Sequence, residues 1–146
     1  MGNSIGWVIY SSAIKNPYVF GGNVGGVLLS FFYVLSVYSL TVSEFEKLKM
    51  EAMCIFLMGM WCCVGFAVSM MQNASMGVEI IGVLANIVVF LLFASPLATF
   101  SVVISTKDSS SINRPFAYCQ VLNCILWSAY GLAVGDMYVY LPNIAR

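Results

Sequence analysis

The sequence predicts an all-α, polytopic transmembrane helical bundle, and three observations carry that prediction. Composition comes first: 61% of residues are hydrophobic and only 8% are charged, with a mean hydropathy of +0.93, far from the balance of a soluble domain. Second, residues 18–42, 51–72, 77–104 and 115–134 are apolar runs, each long enough to cross a bilayer, for which roughly 20 residues suffice. Third, the end of the chain echoes its beginning. Asn3, Ile5, Trp7, Tyr10, Tyr18, Val19 and Asn23 recur as Asn123, Ile125, Trp127, Tyr130, Tyr138, Val139 and Asn143, always 120 positions on.

Taken in order, residues 1–14 are apolar but too few to cross unaided, and the first full span follows at 18–42. The stretch Thr41 to Met50 holds Glu44, Glu46, Lys47 and Lys49 and reads as a polar break before the span at 51–72. A small turn from Gln72 to Gly77 leads into 77–104. The Ser-rich segment Thr106 to Pro115 then leads into 115–134, after which only residues 138–146 remain. Lys47, Lys49, Lys107 and Arg114 flank two of these breaks and Lys15 alone another, so the loops near 45 and 110 are expected on the cytoplasmic side. Asn73-Ala74-Ser75 then falls on the outer face as a formal glycosylation acceptor, though a turn so near the bilayer favours an unmodified amide.

The same inventory narrows the chemistry. Net charge is zero and no basic cluster occurs, so nucleic acid is not expected as a partner. Histidine is absent, which removes the usual general base and the commonest metal ligand. The five cysteines sit in apolar runs as small hydrophobes rather than as a metal site or disulfide framework. With neither a nucleophile–base pair nor a metal constellation, no enzyme, cofactor or metal centre is expected.

The segments holding Trp7 and Trp127 are an even number of crossings apart and so run in the same direction. That makes a parallel repeat, whose halves are related by an axis along the membrane normal and bind ligand near the midplane. The run 51–72 has no counterpart and serves as a connector. Ser95-Pro96-Leu97, Val103-Ile104-Ser105-Thr106-Lys107, Pro115-Phe116, Trp127-Ser128-Ala129-Tyr130-Gly131-Leu132, Asp136 and Pro142-Asn143 match, in order and spacing, the second repeat of the SWEET sugar transporters. The chain resembles that family, and Trp7-Val8-Ile9-Tyr10 with Asn23 matches its first repeat more loosely. The resemblance implies parallel triple-helix repeats joined by a linker helix, with the first helix and most of the last missing. Residues 1–42 would be a partial first repeat (the end of helix 2, and helix 3), 43–75 the linker, and 76–146 the second repeat (helices 5 and 6 and the start of helix 7). A broader relative, the proline–glutamine loop transporters with amino-acid substrates, is disfavoured by the missing Pro-Gln pair.

A pyranose presents one face of C–H groups and a rim of hydroxyls, so a pocket for it needs aromatic planes and amides that both donate and accept. Trp7, Asn23, Trp127 and Asn143 supply these in duplicate, against the alternatives of an interfacial aromatic belt and helix-to-helix hydrogen bonds. The resemblance implies that they bind sugar and that Tyr10, Tyr130, Gly131 and Asp136 form an outer gate. It also makes Pro96 and Pro115 hinges from a family set of four. The expected function is therefore bidirectional, facilitative transport of a mono- or disaccharide by alternating access, as uniport without ion coupling, since no ionisable residue lies mid-span. The alternative is a truncated, non-transporting membrane protein that associates with full-length relatives. Expected partners are a small neutral sugar, the lipid bilayer, and copies of itself or of full-length relatives. The expected location is the plasma membrane, with an internal membrane as second choice.

Overall fold

The computed structural model describes residues 1–108 and 112–145, and among these the side chains other than those of 92–100, 102 and 106. Its elements are α1 (Gly2–Ala13), α2 (Pro17–Leu40), α3 (Glu44–Ser69), α4 (Ala74–Thr106), α5 (Arg114–Val134) and α6 (Met137–Ile144). The all-α expectation holds, for the reason lipid imposes: a helix satisfies its backbone N–H and C=O groups within itself. Pro17–Leu40, Glu44–Ser69, Ala74–Leu91 and Arg114–Val134 are each long and apolar enough to cross a membrane. Large apolar side chains such as Leu28, Phe32, Ile55 and Phe66 are correspondingly exposed along them.

One boundary differs from the sequence reading. The polar stretch before residue 51 is not a break, because α3 already begins at Glu44. Its charges are helix-start chemistry. Ser43 Oγ accepts the N–H of Glu46 at 3.4 Å, and Glu44 and Glu46 lie in the first turn, where the helix end is partially positive. Lys47 and Lys49 pair with them at 3.0 and 2.8 Å, each three residues on. The Tyr38 hydroxyl donates to Glu51 at 2.5 Å and ties the end of α2 to the start of α3.

Contacts divide the chain into two compact units, Met1–Ala85 and Asn86–Arg146, with the division inside α4. In the first, α1 packs against α2 and α3. Small residues permit that approach: a Cβ placed at Gly6 would lie 2.6 Å from Cη2 of Trp61, an indole only 1% exposed. Asn3 Oδ1 and Trp61 Nε1, on the two helices of this contact, are buried without a hydrogen-bond partner among the described residues. Trp7, Tyr10, Val19, Ile81 and Ala85 are the other buried hydrophobic side chains described in this unit, with the Ser11 hydroxyl buried beside them.

In the second unit α5 packs against α6. The contact centres on Gly131, where an added Cβ would lie 2.7 Å from the backbone nitrogen of Tyr140 and 3.0 Å from its Cα. Backbone cannot yield as a side-chain tip can, so Gly131→Ala should lower the thermal unfolding midpoint in detergent, at a cost of about 1–3 kcal/mol. Gly21, with nothing within 4 Å of its would-be Cβ, is the control. Gly21→Ala should leave the midpoint unchanged or raise it, by up to the roughly 1 kcal/mol that alanine gains in a helix.

Candidate functional site

Each unit contains one copy of the same helix–corner–helix arrangement, and the copies agree hydrogen bond by hydrogen bond at the offset of 120. At the end of α1, Lys15 N–H donates to Ser12 O at 3.3 Å and Asn16 N–H to Ser11 O at 2.9 Å. At the end of α5, Gly135 N–H donates to Leu132 O at 3.3 Å and Asp136 N–H to Gly131 O at 2.9 Å. This nested pair of bonds closes a helix when the residue past its end is left-handed. Lys15 and Gly135 supply that conformation, with φ of 55° and 69°. Glycine adopts it without strain, whereas a lysine there costs about 1 kcal/mol.

The next residue starts the following helix. Asn16 Oδ1 accepts the N–H groups of Tyr18 and Val19 at 3.1 and 3.2 Å. Asp136 Oδ1 accepts those of Tyr138 and Val139 at 3.0 and 3.3 Å. An acceptor at this position satisfies donors that the helix cannot satisfy itself. Asp136, expected at an outer gate, is thus the cap of α6. Val19 and Val139 are both buried just beyond the corner.

One turn further on, Asn23 Nδ2 donates to Val19 O at 2.8 Å and Asn143 Nδ2 to Val139 O at 2.7 Å. Each amide is anchored to its own backbone by one N–H, and keeps the chemical capacity of a second N–H and a carbonyl oxygen. Both are half-buried. On the preceding helices, Trp7 and Tyr10 meet edge to face at 5.5 Å and 88°, and Trp127 and Tyr130 at 5.8 Å and 89°. Trp7 and Tyr10 are 7% and 2% exposed, whereas Trp127 and Tyr130 are half-buried. In each copy an indole thus meets a tyrosine edge to face and an amide is bonded to a carbonyl of its own helix.

The expected hinges fare differently from one another. Pro115 lies in the first turn of α5, where its missing N–H interrupts no intrahelical bond. Any bend it supports belongs to the entry of that helix. Pro96 falls within the span of α4, but its side chain lies outside the described residues.

Two pairings of this architecture escaped the sequence reading. Matching by identity passed over Lys15 with Gly135 and Asn16 with Asp136, although each pair shares what matters, a left-handed backbone or an Oδ1 acceptor. Aligning by conformation and acceptor chemistry would have found them. Trp61 in α3 and Asn86 in α4 lie outside the duplicated segments and carry no such signal.

Residues 79–146 match the protein family described as a sugar efflux transporter for intercellular exchange. Sugar transporter SWEET1 of Dictyostelium discoideum is 25% identical over 142 residues, covering 94% of this chain and 64% of that protein. The protein of the same name from Drosophila pseudoobscura pseudoobscura is 26% identical over 137 residues, with 94% and 60% covered. That of Homo sapiens is 22% identical over 143 residues, with 97% and 63% covered. The chain thus spans somewhat under two thirds of the length of these relatives, which are named as transporters and not as enzymes. A solved eukaryotic SWEET transporter shares the fold at a TM-score of 0.89 and 20% identity, over 97% of this chain and 67% of that one.

If the carboxylate of Asp136 serves through its acceptor oxygen, the residue of the first copy should replace it. Asp136→Asn should keep thermal stability within about 0.5 kcal/mol of the parent, and Asp136→Ala should lose about 1 kcal/mol. Thermal unfolding followed by circular dichroism in detergent reads both.

Proposed function

We infer that this multi-pass membrane relative of the SWEET sugar transporters carries a small neutral sugar in either direction across a membrane by alternating access. The plasma membrane is the location we favour. The observation that supports the reading most is the recurrence, at one offset and with matching local geometry, of an indole braced by a tyrosine and an amide braced by its own helix. Trp7 and Trp127 offer apolar planes to the C–H face of a pyranose, and Asn23 and Asn143 offer paired donor and acceptor capacity to its hydroxyls.

Tyr10 and Tyr130 steer the indoles, Gly131 lets α5 and α6 close up, and Asp136 fixes the corner at which the second helix pair turns. We assign these four to the outer gate, and Pro96 and Pro115 to the flexing of the second repeat. Coupling to protons or ions is absent from this scheme, because such coupling needs ionisable groups held at depth in the membrane. Glu51 is exposed and engaged by the Tyr38 hydroxyl, Glu79 is exposed near the start of α4, and Asp136 is engaged as a helix cap. Affinity is bounded by the need for release. A carrier that must let go of its sugar on either side works with binding of about 4 kcal/mol, a dissociation constant on the order of millimolar.

Radiolabelled glucose or sucrose uptake in transport-deficient cells tests this reading, with Asn23→Ala and Asn143→Ala each reducing uptake to background. No uptake by the chain alone, together with co-purification with a longer relative, would instead favour a non-transporting partner. In proteoliposomes an imposed pH difference should leave the final sugar distribution equal on both sides. Accumulation on one side would contradict uniport.

A further inference from the structure

The second copy of the motif contains a break that the first does not. Pro142 stands four residues after Tyr138 in α6, where the first copy has Gly22 four residues after Tyr18. A helix directs the N–H of each residue to the carbonyl four positions earlier, and proline has none to give. Pro142 therefore cannot be the donor to the Tyr138 carbonyl, and a carbonyl buried without any donor is costly. Asn86 Nδ2, on α4 and 52 residues away in sequence, donates to that carbonyl at 3.1 Å.

We propose that Asn86 is a positioning residue for the Asn143 amide, its side chain replacing the backbone hydrogen bond that Pro142 removes and so holding the turn of α6 that presents Asn143. This rests on the sugar-binding role given to Asn143 above. The chain of contacts is short. Asn143 directly follows Pro142 and hangs its own amide on Val139 O at 2.7 Å, the carbonyl next to the one that Asn86 holds. Asp136 secures the first turn of α6 from the corner. A proline within a helix frees the turn to bend, and the cross-link to α4 opposes that bend. The proline thus gives α6 a bend point, and Asn86 sets the position that it takes.

The test is a double-mutant cycle on the full chain. Asn86→Leu removes the donor while staying compatible with lipid, and Pro142→Ala returns a backbone N–H to the Tyr138 carbonyl. Glucose transport is measured in proteoliposomes as half-saturation concentration and maximal rate, and thermal midpoint in detergent. In the parent background Asn86→Leu should raise the half-saturation concentration about three-fold or more, the scale of one hydrogen bond between membrane helices, and lower the midpoint. In the Pro142→Ala background the same substitution should change neither by as much as half of its parent effect. Equal effects in both backgrounds, no effect in the parent, or a fall in maximal rate alone would overturn the proposal. If the parent chain carries no sugar, the transport reading fails by itself. The thermal cycle still decides whether Asn86 and Pro142 act through one carbonyl.

Discussion

The corner between paired helices depends on a single side-chain oxygen. Asn16 in one unit and Asp136 in the other each accept two backbone N–H groups directly after a left-handed residue has closed the preceding helix. Leaving such a helix-start donor without its acceptor costs about 1 kcal/mol. Removing the acceptor would therefore cost more than a few tenths of a kcal/mol of helix propensity. It would release the angle at which the second helix leaves the first, and with it the direction in which Asn23 or Asn143 projects.

A membrane-spanning pair cannot rely on the hydrophobic effect to press its helices together, because lipid chains are as apolar as the side chains themselves. Close packing and polar contacts must do so. The chain shows both means. Gly6 admits the Trp61 indole and Gly131 admits the backbone of Tyr140, while the Asn86 amide reaches from α4 to the Tyr138 carbonyl of α6. Glycine gives close contact without direction, and an amide gives direction. The residues assigned to sugar binding are held by the second means, each asparagine by a carbonyl of its own helix.

Much of this was legible in the sequence because lipid imposes a simple code. Long apolar runs had to be helices, and the recurrence of Trp7, Tyr10, Val19 and Asn23 at one offset marked a duplicated unit. The apolar run was counted only from residue 51, whereas α3 starts at Glu44 because Glu44 and Glu46 are seated in its first turn. The corner was missed because Lys15 and Gly135 share a backbone conformation, and Asn16 and Asp136 an acceptor atom, without sharing a name. Asn86 could not be found at all. Its role depends on a proline more than fifty residues later in the chain, and only the approach of α4 to α6 joins the two.

The central proposal is that an indole and an amide held by the same corner, Trp7 with Asn23 in one unit and Trp127 with Asn143 in the other, bind sugar. The chain has three tryptophans, Trp7, Trp61 and Trp127, so replacing Trp61 with phenylalanine leaves emission only from the two assigned to sugar. With Trp61→Phe in place, fluorescence should change saturably on titration with glucose, with a midpoint on the order of millimolar. The change should vanish when Asn143→Ala is added. A signal indifferent to sugar, or one whose response survives loss of the Asn143 amide, would contradict the claim.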